Sequence, residues 1–241
     1  MTLDFLGGML LTAAIIVNLN ALVGALAVSK SAKLMVAVLM GLWVGLQASL
    51  AAAGAFASPV TATVPLIGIM MTLPLIAVSL AAWLSPGARR AMLALPAPLL
   101  IGLNVGRVFG LFFLLLAAGG RLGGPFPQFA GWGDVITGLA AVPLAFLAAR
   151  RLLSRGLAAA WNYFGAADLL LAVTLGTVST GGFVLQLIEA GAGSEAIVHL
   201  PWSLIPTVLV PFYLILHGII FAQLRAGGIP TDVSPTKAAA A

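Results

Sequence analysis

The sequence predicts an all-α, polytopic integral membrane protein: a seven-helix bundle with its N-terminus outside and its C-terminus cytoplasmic. Three observations predict it. First, 62% of the 241 residues are hydrophobic and 7% are charged, with a mean hydropathy of +1.17. A soluble domain carries roughly 25% charged residues, so this chain lacks the polar surface to cover a water-facing globule. Second, the apolar residues gather into seven runs long enough to cross a bilayer, for which ~20 residues at 1.5 Å rise span a ~30 Å core. Third, the basic residues recur on one side of those runs. Together these features exclude a soluble enzyme, a disordered chain and a nucleic-acid binder, despite a pI near 10.5. The absence of cysteine removes disulfides, thiolate chemistry and Cys-ligated metals.

The runs lie at approximately 5–28, 33–53, 62–84, 97–118, 133–149, 159–180 and 203–224. The first has no basic leader, carries Asp4 and is too long for a signal-peptide core, so it reads as a true helix. The second holds Gly41 and Gly45 at GxxxG spacing, and the third holds Pro65 and Pro74. The fourth carries Gly102, Gly106 and Gly110, two successive steps of the spacing that lets helix backbones approach. That stripe lies about 100° round from Arg107, so one face is expected to pack and the next to present the charge. Ahead of the fifth run, 119–132 is rich in Gly and Pro and reads as a loop, which puts Asp134 at the outer helix start. The sixth run carries Asn162 and Asp168. Pro206 and Pro211 in the seventh each remove an N–H and free a carbonyl one turn back, which predicts a bent helix whose freed carbonyls line a cavity. A β-barrel is excluded because the runs do not alternate in polarity. Residues 1–226 are read as one domain, with a short interfacial helix at Phe183–Ala190, and 227–241 as a disordered cytoplasmic tail.

Orientation follows from loop charge. Lys30, Lys33, Arg89, Arg90, Arg150, Arg151, Arg155, Arg225 and Lys237, nine of the eleven basic residues, fall on one side if there are seven helices. The positive-inside rule makes that side cytoplasmic. Arg121 lies opposite and Arg107 lies within a span.

Polar groups inside a membrane mark sites of interest, since a central Arg or Asp costs ~2.5–3.5 kcal/mol on insertion scales. Arg107 lies about ten residues into its helix from the cytoplasmic end and Asp168 about nine, or ~14–15 Å each. Asn18 and His217 lie at a similar level. Asn104 shares a face with Arg107 at i, i+3, and Tyr213 shares one with His217 at i, i+4. An Arg107–Asp168 pair is expected, supported by Asn18, Asn104, Tyr213 and His217 as a substrate-binding or proton-relay layer. A buried pair that only fixes helix register is the competing expectation.

Gly131-Trp132-Gly133-Asp134 resembles the GxGD pattern of intramembrane aspartyl proteases over those four residues. That chemistry requires two carboxylates around one water. Here Asp134 is expected near the outer boundary, away from Asp168, and a Gly-rich helix start explains the motif without chemistry. A rhodopsin-like Schiff base requires a membrane lysine, and Lys30, Lys33 and Lys237 all lie outside the spans. Pro127-Gln128 resembles the dipeptide of PQ-loop carriers but falls in a loop. His217 is the one histidine within a run, so a bis-histidine haem is excluded, and Glu189, Glu195 and His199 read as a solvated loop rather than a metal site. No phosphate-binding loop, dinucleotide fingerprint, HExxH or serine elbow is present.

The sequence therefore points to a small-solute or proton-linked carrier or ligand-binding membrane protein more than to an enzyme. Two alternatives are a non-catalytic subunit of a larger membrane complex and, more remotely, an intramembrane enzyme acting on a lipid-soluble substrate. No cofactor, metal or nucleic acid is expected. The expected partners are the lipid bilayer and a second copy or a membrane-complex partner. Ala-, Leu-, Gly- and Arg-heavy usage fits a high-GC bacterium, and with it a multi-pass inner-membrane location.

Overall fold

The computed structural model describes residues 2–57, 66–180, 186–189 and 191–227. Helix accounts for 81%, and no strand occurs among the described residues. The helices are α1 (Leu3–Ala25), α2 (Lys30–Ala52), α3 (Leu66–Leu84), α4 (Pro86–Leu93), α5 (Ala97–Leu103), α6 (Leu111–Ala118), α7 (Phe126–Ala149), α8 (Arg155–Val178) and α9 (Val210–Arg225). A 3-10 stretch, Asn104–Gly110, joins α5 to α6, so Ala97–Ala118 forms one span. A π turn, Ile205–Leu209, opens the span that α9 completes. Seven helices are then long and apolar enough to cross a membrane among the described residues.

Local chemistry explains several boundaries. Thr2, Ser29, Ser85 and Ser154 each accept a hydrogen bond from a first-turn amide of α1, α2, α4 and α8, satisfying one of the open donors at a helix start. Lys33 donates to the Gly24 carbonyl at 2.6 Å, so a positive charge sits at the C-terminal end of α1. Gln223 of α9 donates to the Leu95 carbonyl at 2.7 Å and the Leu93 carbonyl at 3.2 Å, which satisfies the backbone where α4 gives way to α5. Arg155 of α8 donates to the Leu224 carbonyl at the end of α9.

One boundary differs from the sequence expectation in a way that matters. The fifth span begins at Phe126, not at 133. Pro125 caps it and Pro127 sits in its first turn, where a missing N–H costs nothing because that donor has no partner in the helix. Residues 119–125, with their four glycines, form the loop their composition predicts, and only 126–132 of the expected loop are helix. Of the expected interfacial helix at Phe183–Ala190, 186–189 are non-helical, and 183–185 and 190 lie outside the described residues. A short 3-10 turn occurs instead at Glu195–Val198. Pro65 and 228–241 of the expected tail, with Lys237, lie outside the described residues.

The core is arranged around α7, which lies against α8 and the whole Ala97–Ala118 span. The seventh span is the most enclosed, with 67% of its most apolar window buried, against 0% for α3 and 11% for α2, which pack at the periphery. Trp202, fully buried just ahead of the π turn, donates to Asp4 at 2.8 Å and lies over Gly7, where a side chain would collide with its ring. Asp4 also receives Arg121 at 2.7 Å. These contacts hold the start of α1 to the lead-in of the seventh span and to the end of the fourth.

Pro211 explains a further contact. Its missing N–H leaves the Thr207 carbonyl without its α-helical donor. Trp43 of α2 supplies one, its indole N–H donating to that oxygen at 3.1 Å. The expectation that this freed carbonyl lines a cavity is therefore corrected: it serves to dock α2.

Candidate functional site

Arg107 sits in the 3-10 stretch and is 2% exposed. Of its five N–H donors, Nε donates to Asp134 Oδ1 at 2.7 Å and Nη2 donates to Asp168 Oδ2 at 2.5 Å. Nη1 donates to the Gly165 carbonyl at 2.9 Å and faces His217 Nε2 at 3.1 Å. The expected Arg107–Asp168 pair is present in the structure, but it is half of the arrangement. Asp134 is the other half.

The expectation that Asp134 lies near the outer boundary, apart from Asp168, is overturned by the earlier start of α7. Asp134 is eight residues after Phe126, more than two helical turns in, and reaches the level of Asp168 from the opposite direction.

The other partners fix the histidine. Asn162 donates to the His217 carbonyl at 3.1 Å, which turns its own side-chain oxygen toward His217 Nδ1, 2.7 Å away. An oxygen at Nδ1 demands a proton there, and Arg107, which has no acceptor, demands a lone pair at Nε2. The network thus assigns a neutral His217 protonated at Nδ1. Trp161 packs on the His217 ring at 5.4 Å and donates to the Thr137 carbonyl at 3.2 Å.

Glycines make this density possible. A Cβ on Gly133 would fall on the Asp168 carboxylate, and one on Gly165 would lie 2.6 Å from His217 Cε1. A Cβ on Gly110 would overlap Asp134, and one on Gly106 would overlap the Tyr213 hydroxyl. The stripe expected to pack away from Arg107 is therefore corrected in part. Gly102 does face a neighbouring helix, with Ala145 at 3.7 Å, but Gly106 and Gly110 make room for the polar residues themselves. The 3-10 winding contributes, since three residues per turn place successive side chains 120° apart rather than 100°.

Of the other sequence-predicted residues, Asn18 donates to the Tyr213 hydroxyl at 3.1 Å as a separate buried pair. A cavity of about 20 Å³, room for one water, separates this pair from Arg107 and Asp134. Asn104 does not join the cluster: its amide donates to the Leu100 carbonyl at 2.9 Å in its own helix, and its buried oxygen has no partner among the described residues. Sequence reasoning missed Asp134, Asn162 and the Gly165 carbonyl. Asn162, Gly165 and Asp168 follow one another at i, i+3, i+6, a spacing that could have grouped them on one face of α8.

A groove of about 480 Å³ reaches Asp168 from the outside of the bundle, between α7 and α8. Phe129, Trp132, Ile136, Phe164 and Leu171 form its walls, all of them at least 43% exposed, while Asp168 is 8% exposed at its floor. The second carboxylate oxygen, Oδ1, lies over Gly133 and receives no hydrogen bond from the described residues. No group of three or more His, Cys, Asp or Glu is placed to hold a metal ion among the described residues.

Residues 64–225, well over half of the chain, match the family described as Domain of unknown function (DUF8737). The chain belongs to that family. No curated protein and no solved structure matches it. Every member of the Arg107 network falls within the matched stretch of DUF8737, whereas α1, with Asn18, and α2 precede it.

Proposed function

We propose that this chain is a multi-pass inner-membrane protein that binds and carries a small ligand in exchange for a proton, with the Arg107 cluster as its site. The observation that carries this reading is a charge mismatch: two buried carboxylates share one guanidinium, and the histidine beside them is held neutral. With both acids ionised the cluster is one negative charge in excess, and a low-dielectric interior does not leave such a charge uncompensated. A proton or a cationic ligand group neutralises it, and each excludes the other. A register-fixing pair needs one acid per arginine; the second acid is what a structural role does not require.

Asp168 is the exchangeable carboxylate in this reading, because it lines the groove between α7 and α8. Arg107 holds both acids in place and His217 orients Arg107. The GxGD-like protease chemistry is disfavoured, since a guanidinium paired with both carboxylates favours their ionised forms over the single shared proton that chemistry requires. The basic residues between alternate helices support an N-terminus outside and a C-terminus in the cytoplasm.

The test is ligand-dependent thermal stabilisation of the purified protein in lipid nanodiscs, across a panel of small organic cations, anions and neutral solutes at several pH values. A binder raises the unfolding midpoint. Its affinity is expected to change with pH in the native chain and to lose that dependence in Asp168→Asn. Stabilisation indifferent to both pH and Asp168 would rule the reading out.

The subunit reading retains one observation in its favour. Gly41 and Gly45 on α2 and Gly68 on α3 face open space, on the least buried helices of the bundle. Small residues that approach nothing within the chain suit a neighbouring membrane helix. Obligatory co-purification with another membrane protein after gentle extraction would favour it.

A further inference from the structure

We infer that the groove between α7 and α8 is the binding site for a lipophilic monocation, an apolar body of drug-like size bearing one protonated amine. This rests on the proposed reading of the Arg107 cluster and names its ligand class. Three features define the occupant. The walls are Phe129, Trp132, Ile136, Phe164 and Leu171 with the uncharged amide of Gln128 beside them, a mainly aromatic and aliphatic surface without charge. The floor is a single carboxylate with a side-chain exposure of 7%, one oxygen committed to Arg107 and the other without a donor among the described residues. The volume, about 480 Å³, lies within the range of roughly 300–1,000 Å³ typical of small-molecule sites.

Charge decides among the possible head groups. An anion would meet Asp168 before Arg107, four of whose five N–H donors are already directed at Asp134, Asp168, Gly165 and His217. A neutral hydroxyl could donate to Oδ1 but would leave the cluster one charge short of neutrality. An ammonium does both, and its arrival replaces the proton that Asp168 otherwise holds. Aromatic faces beside the carboxylate add attraction for the same cation.

The experiment uses the full chain in lipid nanodiscs and tryptophan fluorescence, with Trp132 in the groove wall as the reporter. The probe is 4-(4-bromophenyl)butylamine, whose bromine quenches a neighbouring indole. The neutral 4-(4-bromophenyl)butanol and the anionic 4-(4-bromophenyl)butyrate are its controls. Saturable quenching by the amine is expected, removed by Trp132→Phe, with the alcohol at least tenfold weaker and the carboxylate weaker still. Asp168→Asn is expected to weaken the amine at least tenfold and to bring amine and alcohol level. Ile136→Trp fills the groove from its exposed rim, leaves Asp168 and its partners untouched, and is expected to abolish saturable quenching even where Asp168→Asn fails to fold. Equal binding of amine and alcohol by the native chain would overturn the inference, as would unchanged amine binding in Asp168→Asn. Should the amine fail while another solute stabilises the protein through Asp168 and pH, the ligand class falls and the exchange reading stands. Amine binding that is independent of pH would do the reverse.

Discussion

Arg107 carries more of this fold than its single charge implies. It contacts Asp134, Asp168, Gly165 and His217, groups that come from α7, α8 and α9. Breaking a buried ion pair by removing one partner costs ~3–5 kcal/mol. Arg107→Met is expected to reach that range, because it strands two carboxylates. Asp168→Asn is expected to cost clearly less, since it leaves a balanced Arg107–Asp134 pair. Unfolding midpoints in one detergent compare the two, and equal losses would contradict the excess-charge account. Gly133 offers a second check. Gly133→Ala should destabilise by about 1–3 kcal/mol, the usual range for overpacking, by pushing Asp168 off Arg107. Combined with Asp168→Ala, it should cost less than the sum of the two single changes, because the obstructing carboxylate is gone. His217 is bound by the direction of its hydrogen bonds. It accepts from a guanidinium that cannot accept in return, so a proton cannot pass through it to Arg107. His217→Gln, which can still offer an acceptor, is expected to keep the pH dependence of ligand binding that Asp168→Asn removes.

Among the elements, the join between α5 and α6 separates packing glycines from site-building ones. Gly102→Ala meets Ala145 at ordinary contact distance and should change stability by less than ~0.5 kcal/mol. Gly106→Ala overlaps the Tyr213 hydroxyl and should cost about 1–3 kcal/mol. Thermal unfolding of the pair checks the contrast, which a uniform GxxxG packing stripe would not produce. This level is also where the sequence was partly illegible. The seven spans could be read because length and hydropathy need no context, and Arg107–Asp168 because depth can be counted along each helix. The start of α7 is hidden by Pro125 and Pro127, since proline marks loops and helix first turns alike. With that start placed two turns late, Asp134 falls at the outer boundary of its helix instead of within it. The winding at Asn104–Gly110 left no trace in a sequence whose small residues satisfy an ordinary helix equally well.

For the whole molecule, the absence of cysteine turns topology into a direct measurement. Single cysteines introduced at Gly123 and Ser154 have no background thiol. Under the proposed orientation, an impermeant maleimide should label position 123 from outside intact cells and position 154 only after permeabilisation. The reverse pattern would invert the bundle. The groove has a consequence of its own, because its walls are exposed side chains on the flanks of α7 and α8. In a membrane, a compound reaching Asp168 by that route first dissolves in the surrounding hydrocarbon, so the concentration that governs occupancy is set by partition and not by the aqueous dose. Doubling the lipid around a fixed amount of protein would dilute a strongly partitioned compound twofold without altering a single contact. Apparent affinities in water would then drift with lipid content, while affinities expressed per mole of lipid would hold constant.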